Sequence, residues 1–270
     1  MKVAAIQMCS GDDVARNLET AGRLLAGAAA EGAGLAVLPE NFAFMGRTER
    51  DRMAVAEADG EGPIQSFLAE SAAALGITLI GGTIPLRTAS DPQRAAAASL
   101  VYGPDGQRVG RYDKIHLFDV DLPGGAGVYR ESAGISPGRS PEVVTTPLGP
   151  TGVTVCYDLR FPELYRVLVA RGAVLMVVSA AFTVPTGEAH WSVLLRARAI
   201  ENLCAVVAAA QWGEHVNGRR TYGHSLVVDA WGRILAELAE GEGWAVAEID
   251  LARQAALRTE FPALTHRVLA

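Results

Sequence analysis

Two stretches, VLMVVSAA at residues 174–181 and CAVVAAAQ at 204–211, run almost without a polar side chain. Both are short and valine-containing, which suits strands better than helices. A strand without polar alternation is buried on both faces, so its sheet needs a covering layer on each side. Helix-like segments lie beside these runs, FPELYRVLVARG at 161–172 and EAHWSVLLRARAIEN at 188–202. The chain is therefore expected to be α/β, with sheets covered by helices.

The rest of the chain repeats this alternation. KVAAIQM reads as a strand. Asp12 or Asp13 can cap a helix over VARNLETAGRLLAGAAAEG, with Gly32 and Gly34 as its stop. LAVLPE is a second strand, PIQSFLAESAAALG a helix with proline in its first turn, and ITLIGGTIP a third strand. Hairpins are expected in ASLVYGPDGQRVGRYDK, EVVTTPLGPTGVTVCYD and SLVVDAWGRILAELAEG. Residues 119–141 are rich in Gly and Pro and show no period, the mark of a functional or disordered loop. No linker divides the chain, so one domain is expected over residues 1–270.

Composition removes several functions. Net charge is −6, so no basic surface invites nucleic acid. No apolar run of about 18 residues is present, so no membrane span is expected. The N-terminus turns acidic too early for a signal peptide. Cys9, Cys156 and Cys204 are far apart and lack CxxC spacing, which points to a reducing cytoplasm without disulfides.

Three strand ends carry reactive groups: Glu40 after LAVLP, Lys114 after GRYD and Cys156 after GVTV. In α/β sheets, sites assemble at strand ends. A cysteine nucleophile needs a base and a group to hold the developing oxyanion. Glu, Lys and Cys supply base, cation and nucleophile. Pro162 opens a helix just beyond Cys156, so backbone N–H groups there can add donors. Taken singly, a strand-end Glu is more often solvated, a Lys more often superficial and a Cys more often inert packing. Asp158, Arg160 and Glu163 read as an ion-pair and capping set that fixes the turn.

Other constellations are weaker. His116, His190, His215, His224 and His266 show no metal-binding spacing. A Cys–His pair through His190 or His224 is a separate reading. GGAGVYR at 124–130 neither follows a strand nor opens a helix, as phosphate binding requires. Trp191, Leu194, Leu195 and Ala199 fall at helical spacing and suit a core or subunit face. Arg196 and Arg198 on the same helix are either solvated or paired across an interface.

LPENF around Glu40, YDKIHLFD around Lys114 and GVTVCYDLRFPEL around Cys156 resemble the three signature segments of the nitrilase superfamily of carbon–nitrogen hydrolases. The resemblance continues through TGEAHWSVLLRARAIEN and YGHSLVVDAWG and covers essentially the whole chain. It implies a four-layer αββα sandwich and a homodimer or higher homo-oligomer. It also implies a Glu40–Lys114–Cys156 triad assisted by Glu131, with the Tyr157 backbone N–H joining Lys114 around the oxyanion. Such an enzyme uses no metal or cofactor and acts on a small-molecule amide. Burial is expected to raise the Glu40 pKa toward neutrality, so that one carboxylate serves as base and then acid.

Within the superfamily the chain is similar to the Nit branch. LPENFAFMG, LRFPEL and VVAAAQWGEH lean toward its deaminated glutathione amidases, and KIHLFDVDLPG toward its omega-amidases. A substrate with two carboxylates makes Arg130 and Arg219 or Arg220 candidates for binding. A non-catalytic binding or scaffolding member of the fold is the alternative from another class.

Overall fold

Helix formation follows the expected signals. Asp13 caps α1 (Val14–Ala30) by accepting the Arg16 N–H, a bond that contributes about 1 kcal/mol. Ala21, Leu24, Leu25 and Ala28 of α1 are buried on one face. Gly32, at φ 89°, ends it, whereas Gly34 lies inside the next strand. A computed structural model describes residues 1–89, 91–123 and 127–268.

The first half of the chain provides β1 (Lys2–Met8), β2 (Ala33–Val37), α2 (Pro63–Leu75), β3 (Thr78–Ile80), β4 (Ile84–Thr88), β5 (Asp91–Tyr102) and β6 (Arg108–Asp113). A small hairpin of β7 (Asp119–Asp121) and β8 (Val128–Arg130) precedes β9 (Ile135–Ser136), β10 (Glu142–Thr146) and β11 (Gly149–Val155). The second half adds α3 (Pro162–Ala170), β12 (Leu175–Ala180), α4 (Val184–Asn202), β13 (Ala205–Glu214) and β14 (Arg220–Tyr222). It ends with β15 (Ser225–Val228), β16 (Ile234–Leu238), β17 (Gly243–Glu248) and α5 (Leu251–Glu260).

One run of neighbours, β17–β1–β2–β3–β5–β6, forms one face-to-face half; β10–β11–β12–β13–β15–β16 forms the other. The halves meet in a short parallel contact, Gln7 opposite Ala210 and Met8 opposite Gln211, so the whole is hydrogen-bonded as one curled sheet. Alternate residues of β1 face opposite ways, as a strand requires. Ala4, Ile6 and Met8 pack with α1 and α2, while Val3 and Ala5 join a core shared with β11, β12, α3 and α4. The order is helix, sheet, sheet, helix, the αββα arrangement expected. β12 is buried at every residue, as its unbroken apolar run demands.

Several local expectations need correction. ITLIGGTIP is two strands, broken at Gly81–Gly82. Residues 119–141 contain the β7–β8 hairpin and a short 3₁₀ turn, Glu131–Ala133. Of the glycine-rich stretch at 124–130, residues 124–126 lie outside the described residues. Arg196 donates to the Gly232 carbonyl and Arg198 to the Leu159 carbonyl and Glu201, so both are used within the chain. Trp191, Leu195 and Ala199 are core. All three cysteines are free. Among the described residues no helix is long and apolar enough to cross a membrane.

Candidate active site

Glu40 follows β2 by three residues. The Leu38 N–H still bonds the Ile80 carbonyl (2.9 Å), and Gln211 Nε2 donates to the Glu40 carbonyl (3.0 Å). The break after β3 explains how Glu40 is seated. Gly82 has φ 56°, and a Cβ there would lie 2.1 Å from the Pro39 carbonyl oxygen, directly behind Glu40. Gly82→Ala is therefore expected to cost about 2 kcal/mol or more and to displace Glu40. Thermal unfolding and turnover of the variant check this together.

Lys114 lies just beyond β6, its N–H on the Ala97 carbonyl (3.0 Å) and its carbonyl accepting from Gly138 (2.8 Å). Glu131 opens the 3₁₀ turn after β8, and its Oε2 accepts the Phe118 N–H (2.7 Å). Cys156 follows β11 directly and opens another 3₁₀ turn, Cys156–Arg160, that leads into α3. Its φ of 49° is left-handed, a conformation that costs a non-glycine residue about 1–2 kcal/mol. Such strain persists only where surrounding contacts enforce it.

These four side chains meet. Lys114 Nζ is 2.7 Å from Glu40 Oε1 and 2.9 and 2.8 Å from the two Glu131 oxygens. Lys114 is 1% exposed, Glu40 4%, Glu131 6% and Cys156 6%, so the charges are desolvated and act strongly on one another. Burial alone would raise the Glu40 pKa, but the Lys114 ammonium outweighs it, with help from Cys156 and Arg219, and holds the carboxyl below its ordinary value. The expectation of a raised Glu40 is thus corrected for the resting site. Burial also opposes the Lys114 ammonium, yet Glu131 and Glu40 overcome it and hold its pKa up. Burial and then Glu40 push the Cys156 thiol up, against Lys114 and the Ala181 backbone N–H. The resting pair is a thiol beside an ionised carboxylate, the arrangement of nucleophile and general base.

Cys156, Glu40, Lys114 and Glu131 line one cleft open to solvent. Its walls include Phe118, Tyr129, Tyr157 and Phe182. Tyr157 is the second residue of the 3₁₀ turn, where backbone N–H groups have no partner within the helix.

The arginines divide sharply. Arg219 lines the cleft, its guanidinium 5.2 Å from the centre of the Tyr129 ring. Arg130 instead bonds Asp121 (2.7 Å) on the β7–β8 hairpin, and Arg220 is exposed on β14; neither lines the cleft. Arg52 and Arg160 line it too; Arg52 was not singled out in the sequence, and Arg160 was expected only to brace the turn after Cys156. Arg52 sits on a 3₁₀ turn, Glu49–Ala54, bonded to Glu49 (2.8 Å) and 3.9 Å from Glu131. Arg160 lies over the Phe182 ring at 5.2 Å and donates to His190 Nδ1 (3.2 Å). Of the ion-pair and capping set expected of Asp158, Arg160 and Glu163, the cap forms, Asp158 accepting the Val155 N–H at 2.9 Å, but the ion pairing does not: Asp158 is buried on Tyr112 and His116.

His190 and His224 do not line the cleft, and His224 is bonded to Glu237 (2.7 Å). His215 is held between the Ser10 carbonyl and Thr221 Oγ1, both at 2.8 Å, and burial pushes its pKa down to about 4. Among the described residues, no group of three or more His, Cys, Asp or Glu side chains is placed to hold a metal.

Known proteins are similar to this chain over nearly its whole length. A deaminated glutathione amidase of Synechocystis is 43% identical over 268 residues, 98% of this chain and 97% of that protein. The crystal structure of Saccharomyces cerevisiae Nit3, a member of branch 10 of the nitrilase superfamily, superposes with a TM-score of 0.89 at 32% identity, covering 100% of this chain and 97% of that one. An amidase of Nesterenkonia, solved with acrylamide added to its active-site cysteine, is 28% identical with a TM-score of 0.80, over 97% of this chain and 98% of that one. The carbon-nitrogen hydrolase family model matches residues 2–259, a span that contains all four clustered side chains. By its sheet order, its strand-end residues and this near-complete match, the chain belongs to the carbon-nitrogen hydrolase family.

Proposed function

We propose that the chain is a cysteine amidase in which Cys156 attacks an amide carbonyl and carries the acyl group as a thioester. The observation that carries this reading is the buried contact of Lys114 with Glu40 and Glu131 beside a left-handed Cys156. Glu40 takes the thiol proton as sulfur bonds carbon. Lys114 and the Tyr157 N–H hold the oxyanion. Glu40 returns the proton to the leaving nitrogen as the C–N bond breaks. Water, deprotonated by Glu40, then cleaves the thioester to a carboxylic acid and restores the thiol. Glu40 needs no raised resting pKa for its acid step, because transfer of the thiol proton itself makes it the acid. Glu131 bonds Lys114 and so fixes the ammonium.

The substrate in this reading carries carboxylates, and deaminated glutathione fits. Arg160 and Arg219 have no carboxylate partner among the described residues, yet both face the cleft of an acidic chain. Guanidinium groups recognise carboxylates in a bidentate way. The relatives' activity agrees with this chemistry. Purified protein assayed on deaminated glutathione and on 2-oxoglutaramate tests it: release of 2-oxoglutarate and cysteinylglycine from the first at the higher kcat/KM is expected. A clear preference for 2-oxoglutaramate would favour the omega-amidase reading. Arg219→Met is expected to raise KM by about 10-fold or more with a smaller change in kcat, as loss of a charged hydrogen bond to substrate implies. An unchanged KM would remove Arg219 from the binding site.

We also read the chain as self-associating through α3 and α4, on which Val167, Val193 and Ile200 are exposed. Sedimentation at the monomer mass would overturn that.

A further inference from the structure

Tyr112 lies near the end of β6, and Lys114 and His116 follow it at two-residue spacing. All three side chains turn toward the segment that carries Cys156. Lys114 goes to Glu40 and Glu131, but its two neighbours go to a single carboxylate, Asp158. Tyr112 Oη donates to Asp158 Oδ2 at 2.7 Å. The His116 backbone N–H donates to Oδ1 at 3.1 Å, and its ring Nδ1 lies 2.7 Å from the same oxygen. The Val155 N–H donates to Oδ2 at 2.9 Å. Tyr112 Oη in turn accepts the Ile115 N–H at 3.2 Å.

One fully buried carboxylate thus receives two donors on each oxygen. The donors come from both sides of Lys114 and from the residue before Cys156, while Asp158 itself lies two residues after Cys156. The two segments are separated by 42 to 46 residues in the chain, so nothing local holds them together. A carboxylate suits this place because it accepts four bonds and donates none. Burying it is costly unless those acceptor sites are filled, and here they are. The His116 ring is further pinned by stacking on Phe161 at 3.7 Å, 7° from parallel.

We propose that Asp158 is a positioning residue: its bonds to Tyr112, His116 and Val155 set the Lys114 ammonium against the Cys156 sulfur and hold Cys156 in its left-handed conformation. The inference rests on the reading of Cys156 and Lys114 as reacting groups. Asp158 does not touch the substrate. It acts through the placement of two groups that do, and a displacement of about 1 Å in such groups lowers rates by up to 10²-fold.

Tyr112→Phe tests this with the least disturbance, because it keeps the buried ring and removes the hydroxyl. The expected result is a kcat lowered by about 10-fold or more, a nearly constant KM, and slower alkylation of Cys156 by iodoacetamide. Asp158→Asn is expected to lower all of these rates further. Tyr165→Phe is the control. It removes another fully buried hydroxyl, on α3, bonded at 2.9 Å to Oγ1 of Thr154, which lies two residues before Cys156. It should lower the melting temperature while kcat and alkylation stay at wild-type values. Wild-type kcat and alkylation in Tyr112→Phe would overturn the clamp, as would equal losses in Tyr112→Phe and Tyr165→Phe. Turnover that survives Cys156→Ala would overturn the catalytic reading itself. Turnover that disappears with Cys156→Ala but is untouched by Tyr112→Phe overturns the clamp alone.

Discussion

Replacement of Cys156 by alanine is expected to lower kcat by on the order of 10⁵-fold or more, because loss of a covalent nucleophile disables the whole group that acts with it. The fold should survive. Cys156 is small and rests as a neutral thiol, so alanine in its place leaves no buried charge newly unpaired. The chain around it is held by Asp158 and by the β11–β12 pairing, not by the sulfur. Two measurements decide the matter: turnover of deaminated glutathione, and a melting curve within a few degrees of wild type. Mass spectrometry of the wild-type protein, quenched during turnover, should show the acyl group on the peptide containing Cys156. Substantial turnover by the alanine variant would mean that another group carries the acyl transfer.

Lys114→Met should give the second large effect, and it should differ in kind. Methionine keeps most of the volume but removes the charge between two buried carboxylates. Glu40 and Glu131 would then face each other uncompensated, a loss of about 3–5 kcal/mol for a broken buried ion pair. Turnover should fall by about 10²–10³-fold as well, the usual cost of losing an oxyanion donor. The carboxyl of Glu40 should also move up in pKa, since its largest lowering influence is Lys114. The variant is therefore expected to regain stability as pH falls and the two carboxyls take up a proton. The wild type should show no such gain there, because Lys114 keeps Glu40 ionised. Melting temperature against pH for both proteins checks this; parallel curves would show that Lys114 does not compensate the pair.

Strand periodicity marked Glu40, Lys114 and Cys156 as strand-end candidates, and the resemblance to the nitrilase superfamily joined them as a triad and added Glu131 and the Tyr157 N–H. An unbroken apolar run ending abruptly in Glu40 or Cys156 marks a place where a buried strand leaves the sheet. Arg52 and Arg160 carried no such signal. Each sits in a short 3₁₀ helix, of six and five residues, too short to show a period, and lines the cleft because of packing between distant segments. Arg130 was misplaced for the opposite reason: its loop neighbourhood looked right, but Asp121 across the hairpin takes its charge. The break at Gly81–Gly82 was hidden because both flanks are apolar and β-prone; only the approach of the Pro39 carbonyl explains it. α5 was missed because just two of its residues, Gln254 and Leu257, are buried, leaving little amphipathic pattern. The Glu40 pKa reversed because burial is a property of one segment, while the ammonium that outweighs it comes from another.

The pairing of β1 has a consequence for synthesis. This strand precedes every other strand of the sheet in the chain, yet along its length it bonds β17, and at its end β13. Some 240 residues must follow before β17 exists, roughly 10–50 s of ribosome time at ordinary rates. Throughout that interval one side of a largely apolar strand has open backbone donors and acceptors. The nascent chain therefore cannot close its sheet in stages from the N-terminus. Its yield in a cell should depend on chaperone occupancy and on translation speed far more than the stability of the finished protein would suggest.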